Sequence, residues 1–437
     1  MLHITNGLVI DPYSGLCEKK DILSEDGRIL VIGTAEEAEE CLTAYPADME
    51  VEVIDAEGLW VVPGLVDIHS HFREPGYTYK EDLTTGAAAA AAGGYTSVVC
   101  MANTNPCVDN VEVLKDLIRR EARLPIHVYQ TANLTVGMKG RELTNMEVLA
   151  EEGAVGFTDD GVPVMDEGVL KKGLETAARL DVPVSLHEES AALLGSPGVN
   201  EGWVAARLGV KGAAAVSEYS LIARDGMINA KIGAYLDIQH VSSGISVDVI
   251  RFLQDSGVNI CAEVTPHHFS LTEEAVMEKG TLARVNPPIR TEEDRRSLIE
   301  GMKDGVIEII ATDHAPHSDE EKNRPFDKAP SGMVGLETAV ALAITHLYKP
   351  GHLDKMRIIE MMTINPAELY KLDAGRLYVE GPADITLIDP DEEWTVREES
   401  FFGKSKNSPF IGEKLVGRVK YTICRGKIVY EDMSGIS

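Results

Sequence analysis

The sequence predicts an α/β protein: a (β/α)8 barrel of the TIM type, with a small composite β domain formed from both chain ends. Two patterns and a length predict it. Short apolar runs in the middle of the chain alternate with helical stretches, the signature of parallel βα units. At both ends the runs follow one another through Gly or Asp turns, as antiparallel strands do. The 437 residues suffice for a barrel of about 250 residues and an appendage.

In chain order, LHITNGLVI, EKKDILSEDGRILVIG and VEVIDAEGLWVV read as strands, with Glu25-Asp26-Gly27 as one tight turn. Eight candidate barrel strands follow at 61–68, 96–102, 126–132, 154–158, 182–188, 233–240, 260–266 and 308–314. Helices are expected between them, among others at 80–92, 167–180, 246–256, 293–304 and 335–348. PADITLIDP, EWTVR and VGRVKYTICRGKIVYE close the chain as further strands. The expected divisions are therefore 1–60 and 376–437 for the β domain and 61–375 for a metal-dependent barrel. A doubly wound open sheet is the alternative, but it needs a glycine-rich phosphate turn after an early strand. Gly93-Gly94-Tyr95-Thr96 precedes its strand instead.

A net charge of −30 argues against nucleic acid or an anionic membrane as principal partner. It also sets a requirement: a site for an anionic substrate must carry its own positive charges. Cys17, Cys41, Cys100, Cys107, Cys261 and Cys424 form no C-x-x-C pair and read as thiols of a reducing compartment. The N-terminus has no basic segment followed by a long apolar one, and no run reaches the roughly 18 apolar residues that cross a membrane. A cytoplasmic protein is expected.

His69 and His71 end the apolar run VVPGLVDIHSH, and side chains at i and i+2 of a strand point to the same side. Later strand ends add Asp159 and Asp160, then His187, His240 and Asp313. Each has an ordinary explanation by itself: a core histidine bonded to backbone, an Asp-Gly turn, a helix cap. What points to a metal site is that all fall at strand ends of the same polarity, where barrel active sites form. Imidazole and carboxylate together suit Zn²⁺ or a similar divalent ion. Six ligands exceed the needs of one ion, so two are expected. The first would take His69, His71 and Asp313, the second His187 and His240, with Asp160 bridging. A water between such cations loses its proton near neutral pH, and the hydroxide can attack a polarised carbonyl. Asp313 would carry the proton to the departing nitrogen. The expected reaction is metal-assisted opening or closing of an amide C–N bond.

VDIHSHFREPG, MANTNP, GFTDDG, SLHEE, HVS, EVTPHHF, NPPIR and ATDHAPH together span most of the chain. On these motifs the sequence resembles the bacterial-type dihydroorotases of the amidohydrolase superfamily. The resemblance implies reversible interconversion of (S)-dihydroorotate and N-carbamoyl-L-aspartate, in de novo pyrimidine (UMP) synthesis. It implies that Arg73 clamps the substrate carboxylate, for which a guanidinium offers bidentate geometry. Asn103 would be its amide partner, and His317 and Asn286 would add carboxylate or ring contacts. His71 and Phe72 would flank the substrate, while Ser331 and Gly332 would offer backbone groups after a lid. HSDEEKNRPFDKAP, at 317–330, is polar and charged as a surface lid should be. His267 and His268 are expected to be structural.

Two departures from the pattern stand out. GFTDDG carries no lysine where many superfamily members bridge their metals with a carboxylated one, so an aspartate bridge is expected, at Asp160 rather than Asp159. Ser331 stands where a larger residue is usual. The resemblance also implies a homodimer acting on a small molecule, and some members associate with aspartate carbamoyltransferase. A sibling cyclic-amide hydrolase, allantoinase or dihydropyrimidinase, is the nearest rival, but its substrates lack the carboxylate that Arg73, Asn103 and His317 would hold. A catalytically silent scaffold is the other; such relatives have usually lost metal histidines, and all are present here.

Overall fold

The computed structural model describes residues 1–46 and 48–433. Leu65–Ser70, Tyr95–Cys100 and His127–Gln130 form a parallel three-stranded sheet. Val184–Leu186, Leu236–Ile238, Ile260–Val264 and Ile309–Ile310 form a parallel four-stranded one. Isolated parallel bridges connect the two sheets: Ala132 to Phe157 and Phe157 to Val184 on one side, Ser70 to His314 on the other.

The expected strand at 154–158 is thus reduced to its bridging residue. Gly153 and Gly161, both at positive φ, turn the chain on either side of it. The expected strand at 61–68 is two strands in two sheets. Trp60–Pro63 pairs with Leu2–Asp11 and Ile385–Thr395, and the parallel sheet begins only at Leu65. The break is at Gly64, where an added Cβ would lie 2.0 Å from Thr96 Oγ1.

Both chain ends share one sheet. Its order is Lys427–Glu431, Lys414–Cys424, Ile385–Thr395, Trp60–Pro63, Leu2–Asp11, Leu16–Glu25, Arg28–Gly33, with Glu52–Asp55 also paired to Leu2–Asp11. The turn between Leu16–Glu25 and Arg28–Gly33 has φ +47° at Asp26 and +80° at Gly27, the two positive values a two-residue hairpin of right-handed twist demands.

Helices follow the parallel strands. Glu167–Leu180 is capped by Asp166, and Glu292–Lys303 by a reciprocal Thr291–Asp294 capping box. The helix expected at 335–348 is instead a 3₁₀ turn, a short α segment and a π turn at Ile344–Tyr348. Within that π turn the Thr345 hydroxyl exchanges hydrogen bonds with Val416 N and O, tying the segment to the terminal sheet. Among the described residues no helix is long and apolar enough to cross a membrane.

Val66, Ile68, Val99, Met101, Ile309 and Ala311 pack on one another and on Tyr370, whose hydroxyl meets Ser185 Oγ at 2.8 Å. Buried Asp67 ties the first parallel strand to the last: it accepts from Thr312 N at 2.8 Å, Thr312 Oγ1 at 2.7 Å and Ser70 Oγ at 2.6 Å. That fixes the chain immediately before Asp313.

One buried acid makes stability depend on pH. Glu121 ends the helix Val111–Glu121, and its carboxylate oxygens have no partner among the described residues. Burial pushes its pKa up to about 8, only partly offset by Arg120. The unfolded value is about 4.5, so the folded state holds the proton longer and stability falls as pH rises from about 4.5 to about 8. The slope is at most about 1.4 kcal/mol per pH unit. Glu121→Gln should therefore gain on the wild type in thermal-melt midpoint between pH 5 and pH 8. A difference independent of pH would count against the assignment.

Candidate metal and substrate site

Parallel strands present their C-terminal ends to one side, and the expected ligands meet there. His69 Nε2 lies 3.6 Å from Asp160 Oδ1 and 3.6 Å from Asp313 Oδ1. His71 Nε2 lies 3.4 Å from Asp160 Oδ2 and 3.1 Å from Asp313 Oδ1. His187 Nδ1 is 3.7 Å from Asp160 Oδ1 and 2.9 Å from His240 Nε2. His69, His71 and Asp160 make one group whose ligand atoms all lie within 4.8 Å of one another, and Asp160, His187 and His240 make another. Asp160 belongs to both. Asp159 points away and accepts from Thr135 N and Oγ1.

The pocket demands positive charge. Burial raises the pKa of Asp160, but the His187 and His69 imidazoles beside it hold it well below the carboxylate range. Burial lowers that of His69, yet the Glu263 charge and Asp160 hold it well above the imidazole range. His187 reaches about 10: burial opposes, and Asp160 and Glu189 prevail. His240, buried beside those two imidazoles, is pushed well down. His69 Nε2 has no hydrogen-bond partner among the described residues although it is fully buried. An orphaned imidazole nitrogen facing two carboxylates, beside a second nitrogen pair and a shared aspartate, is a donor set that fits divalent cations.

The substrate residues are placed more variously. Arg73, at φ +58°, is half-buried, donates from Nε to Pro316 O at 3.2 Å and brings its guanidinium 3.4 Å from His317 Nε2. His240 and Asp313 share the left-handed backbone, at φ +36° and +46°. Asn103 is already engaged: Oδ1 meets His71 Nδ1 at 3.0 Å, and Nδ2 donates to Asp160 Oδ2 at 2.9 Å and to Asp160 O. Phe72 turns its ring into the core against Gly86, so only its backbone can face the site. Asn286 Oδ1 accepts from Ser331 Oγ at 3.0 Å. Ser331 O accepts from His317 Nε2 at 2.9 Å, and Gly332 N–H donates to Arg284 O, so both backbone groups have partners within the protein. His268 is satisfied by Thr265 Oγ1 and Pro287 O.

Segment 317–330 is anchored. Lys322 is 3% exposed and donates from Nζ to Pro330 O at 3.0 Å and Gly332 O at 2.9 Å, burial pushing its pKa down to about 7. Glu321 accepts from Tyr79 and pairs with Lys80 at 3.0 Å. Lys80 Nζ also lies 3.2 Å from His317 Nδ1. Burial, with the charges of Arg73 and Lys80, pushes the His317 pKa far down, so the ring is neutral.

Sequence reasoning missed Lys80, Glu189 and Glu263. Glu263 left a signal, an acid inside the apolar run ICAEV. Lys80 left none, since a charged residue before a helix is commonplace. A further grouping, His127 with Asp384 and Cys424, is explained as a seam with the terminal sheet. Arg425 N and His127 Nε2 both donate to Asp384, Arg425 Nη2 meets His127 Nδ1, and burial keeps the thiol protonated. The large cavity of about 1150 Å³ lined by Trp394, Phe402, Arg418 and Tyr430 lies away from the histidines.

A family model described as dihydro-orotase-like matches residues 58–246. A dihydroorotase of Clostridioides difficile is 52% identical over 430 residues, covering 98% of this chain and 100% of that protein. One of Clostridium acetobutylicum is 50% identical, covering 99% and 100%. Among solved structures, an L-hydantoinase (dihydropyrimidinase) from Arthrobacter aurescens superposes with a TM-score of 0.84 at 24% identity, covering 98% of this chain and 96% of that one. A dihydropyrimidinase from Brevibacillus agri gives 0.83 at 22%, covering 98% and 95%. The latter two share the fold. Identity near one half along the whole length carries further: the chain belongs to the dihydroorotase family.

Proposed function

We propose that this protein catalyses the reversible hydrolysis of (S)-dihydroorotate to N-carbamoyl-L-aspartate. Full-length identity of about one half with dihydroorotases supports the reaction, and one observation carries the site: four histidines and Asp313, from segments far apart in the chain, meet around Asp160. The two parallel sheets and their bridges are read as one closed (β/α)8 barrel from about residue 64 to 375, the composite sheet being the second domain. His69, His71 and Asp313 would hold one divalent cation and His187 and His240 a second, with Asp160 between them. Zn²⁺ suits this donor set. Bound there, the cations supply Lewis-acid polarisation of the carbonyl and acidify the attacking water.

The chain's own groups do the rest. Asp313 receives the proton released by the attacking water and returns it to the ring nitrogen as the C–N bond breaks. Arg73 supplies the local positive charge that a chain of net charge −30 otherwise lacks, holding the ring carboxylate beside His317. Burial, with the charges of Arg73 and Lys80, keeps His317 neutral, its Nε2–H turned to Ser331 O. The reading extends to a cytoplasmic homodimer, with aspartate carbamoyltransferase as a candidate partner.

The deciding measurement pairs elemental analysis with hydrolysis assays on one sample. Dihydroorotate should be turned over by metal-loaded protein far faster than dihydrouracil or allantoin, which lack the carboxylate; equal rates on all would return the sibling reading. Asp313→Asn should fold normally and lose about 10²–10⁴-fold in kcat. Near-normal turnover would remove Asp313 from the proton path. Arg73→Ala should act through KM, about 10–100-fold for a charged hydrogen-bonded contact of roughly 1.5–3 kcal/mol. An unchanged KM would reject the clamp.

A further inference from the structure

Each proposed cation position has one buried glutamate behind it. Glu263, on the strand Ile260–Val264, is fully buried, and its Oε2 lies 2.9 Å from His69 Nδ1. Glu189 is 5% exposed, and its Oε2 lies 3.0 Å from His187 Nε2. An ionised carboxylate only accepts, so in each pair the ring nitrogen must be the donor. The proton is thereby placed on Nδ1 of His69 and on Nε2 of His187. The nitrogens left to face the cluster are the opposite ones, Nε2 of His69 and Nδ1 of His187. These are the very atoms found near Asp160, at 3.6 Å and 3.7 Å.

We infer that Glu263 and Glu189 are positioning residues that select the inward-facing nitrogen of His69 and His187, one for each cation. The inference rests on the two-cation reading above. The contrast with His71 supports a specific use of charge: its outer nitrogen meets the neutral Asn103 Oδ1. A carboxylate on the outer N–H makes the ring a more basic ligand than an amide does. Glu189 Oε1 has no hydrogen-bond donor among the described residues. Glu263 also faces buried Asp237, whose pKa burial and the Glu263 charge push well up. The neighbouring Glu188 shows that proximity alone is not the criterion, since it is buried among Arg224, Asp225 and Glu218 instead.

The test is zinc binding by the full-length protein, measured by competition with a chromophoric chelator. It is accompanied by the cobalt(II) absorption spectrum and by histidine-selective ¹⁵N NMR of the zinc-loaded protein. Glu263→Leu should weaken one of the two dissociation constants by about 10–100-fold, and Glu189→Leu the other. Glu263→Gln and Glu189→Gln, whose amide oxygen still accepts, should restore part of the loss. The NMR should show the Nδ1–H tautomer of His69 giving way in Glu263→Leu and the Nε2–H tautomer of His187 giving way in Glu189→Leu. If the leucine variants do not fold, the glutamine pair decides. Both dissociation constants unchanged from the wild type in the glutamine variants, or both weakened alike by either one, overturn the inference. Wild-type protein that takes up no divalent cation overturns the underlying metal reading as well, and that result is known before any variant is compared.

Discussion

The carboxylate of Asp160 is the group on which the rest of the site depends. It alone stands within reach of His69, His71 and His187, with Asn103 bonded to its other side. Burying that charge costs several kcal/mol unless opposite charge accompanies it. The pocket therefore has to be cationic at its centre. Protons on His69 and His187 meet that need in the free protein, and divalent cations meet it equally well. The same constraint explains why so many acids lie beneath the histidines: Glu263, Glu189 and Asp160 bring three negative charges into a region that apolar packing would otherwise fill.

Holding such a centre open takes rigidity from below and strain at the rim. Asp67 fastens Thr312 to the first parallel strand, so that Asp313 leaves a fixed point. Arg73, His240 and Asp313 then adopt positive φ, each at a cost of about 1–3 kcal/mol, to turn their side chains inward. The anchored segment 317–330 completes the frame. With Lys322 inside it and Glu321 held by Lys80 and Tyr79, it behaves as a wall carrying His317 as much as a cover.

Much of this was legible in the chain. The His69-Ser70-His71 spacing, the apolar runs and the polar residues at their ends are local patterns, and periodicity translates them directly into strands and a rim. The strand at 61–68 misled because apolar character says a segment is buried but not in which sheet; Gly64 divides it, and its closeness to Thr96 is a tertiary fact. The helix at 335–348 misled similarly, since Thr345 answers to Val416 in a strand far along the sequence. Asn103 and Phe72 were placed by likeness to relatives, while their contacts depend on what else needs an amide or an apolar ring nearby.

The sequence by itself determined the order of strands and helices, the cluster's membership and the family, because each follows from residue type and spacing or from identity along the chain. Tertiary structure alone decided the order of strands in the composite sheet, its division from the parallel strands at Gly64, and the glutamates behind His69 and His187. Those depend on contacts between segments up to hundreds of residues apart, as between His69 and Glu263, and no local pattern encodes the direction in which a buried side chain finds its partner.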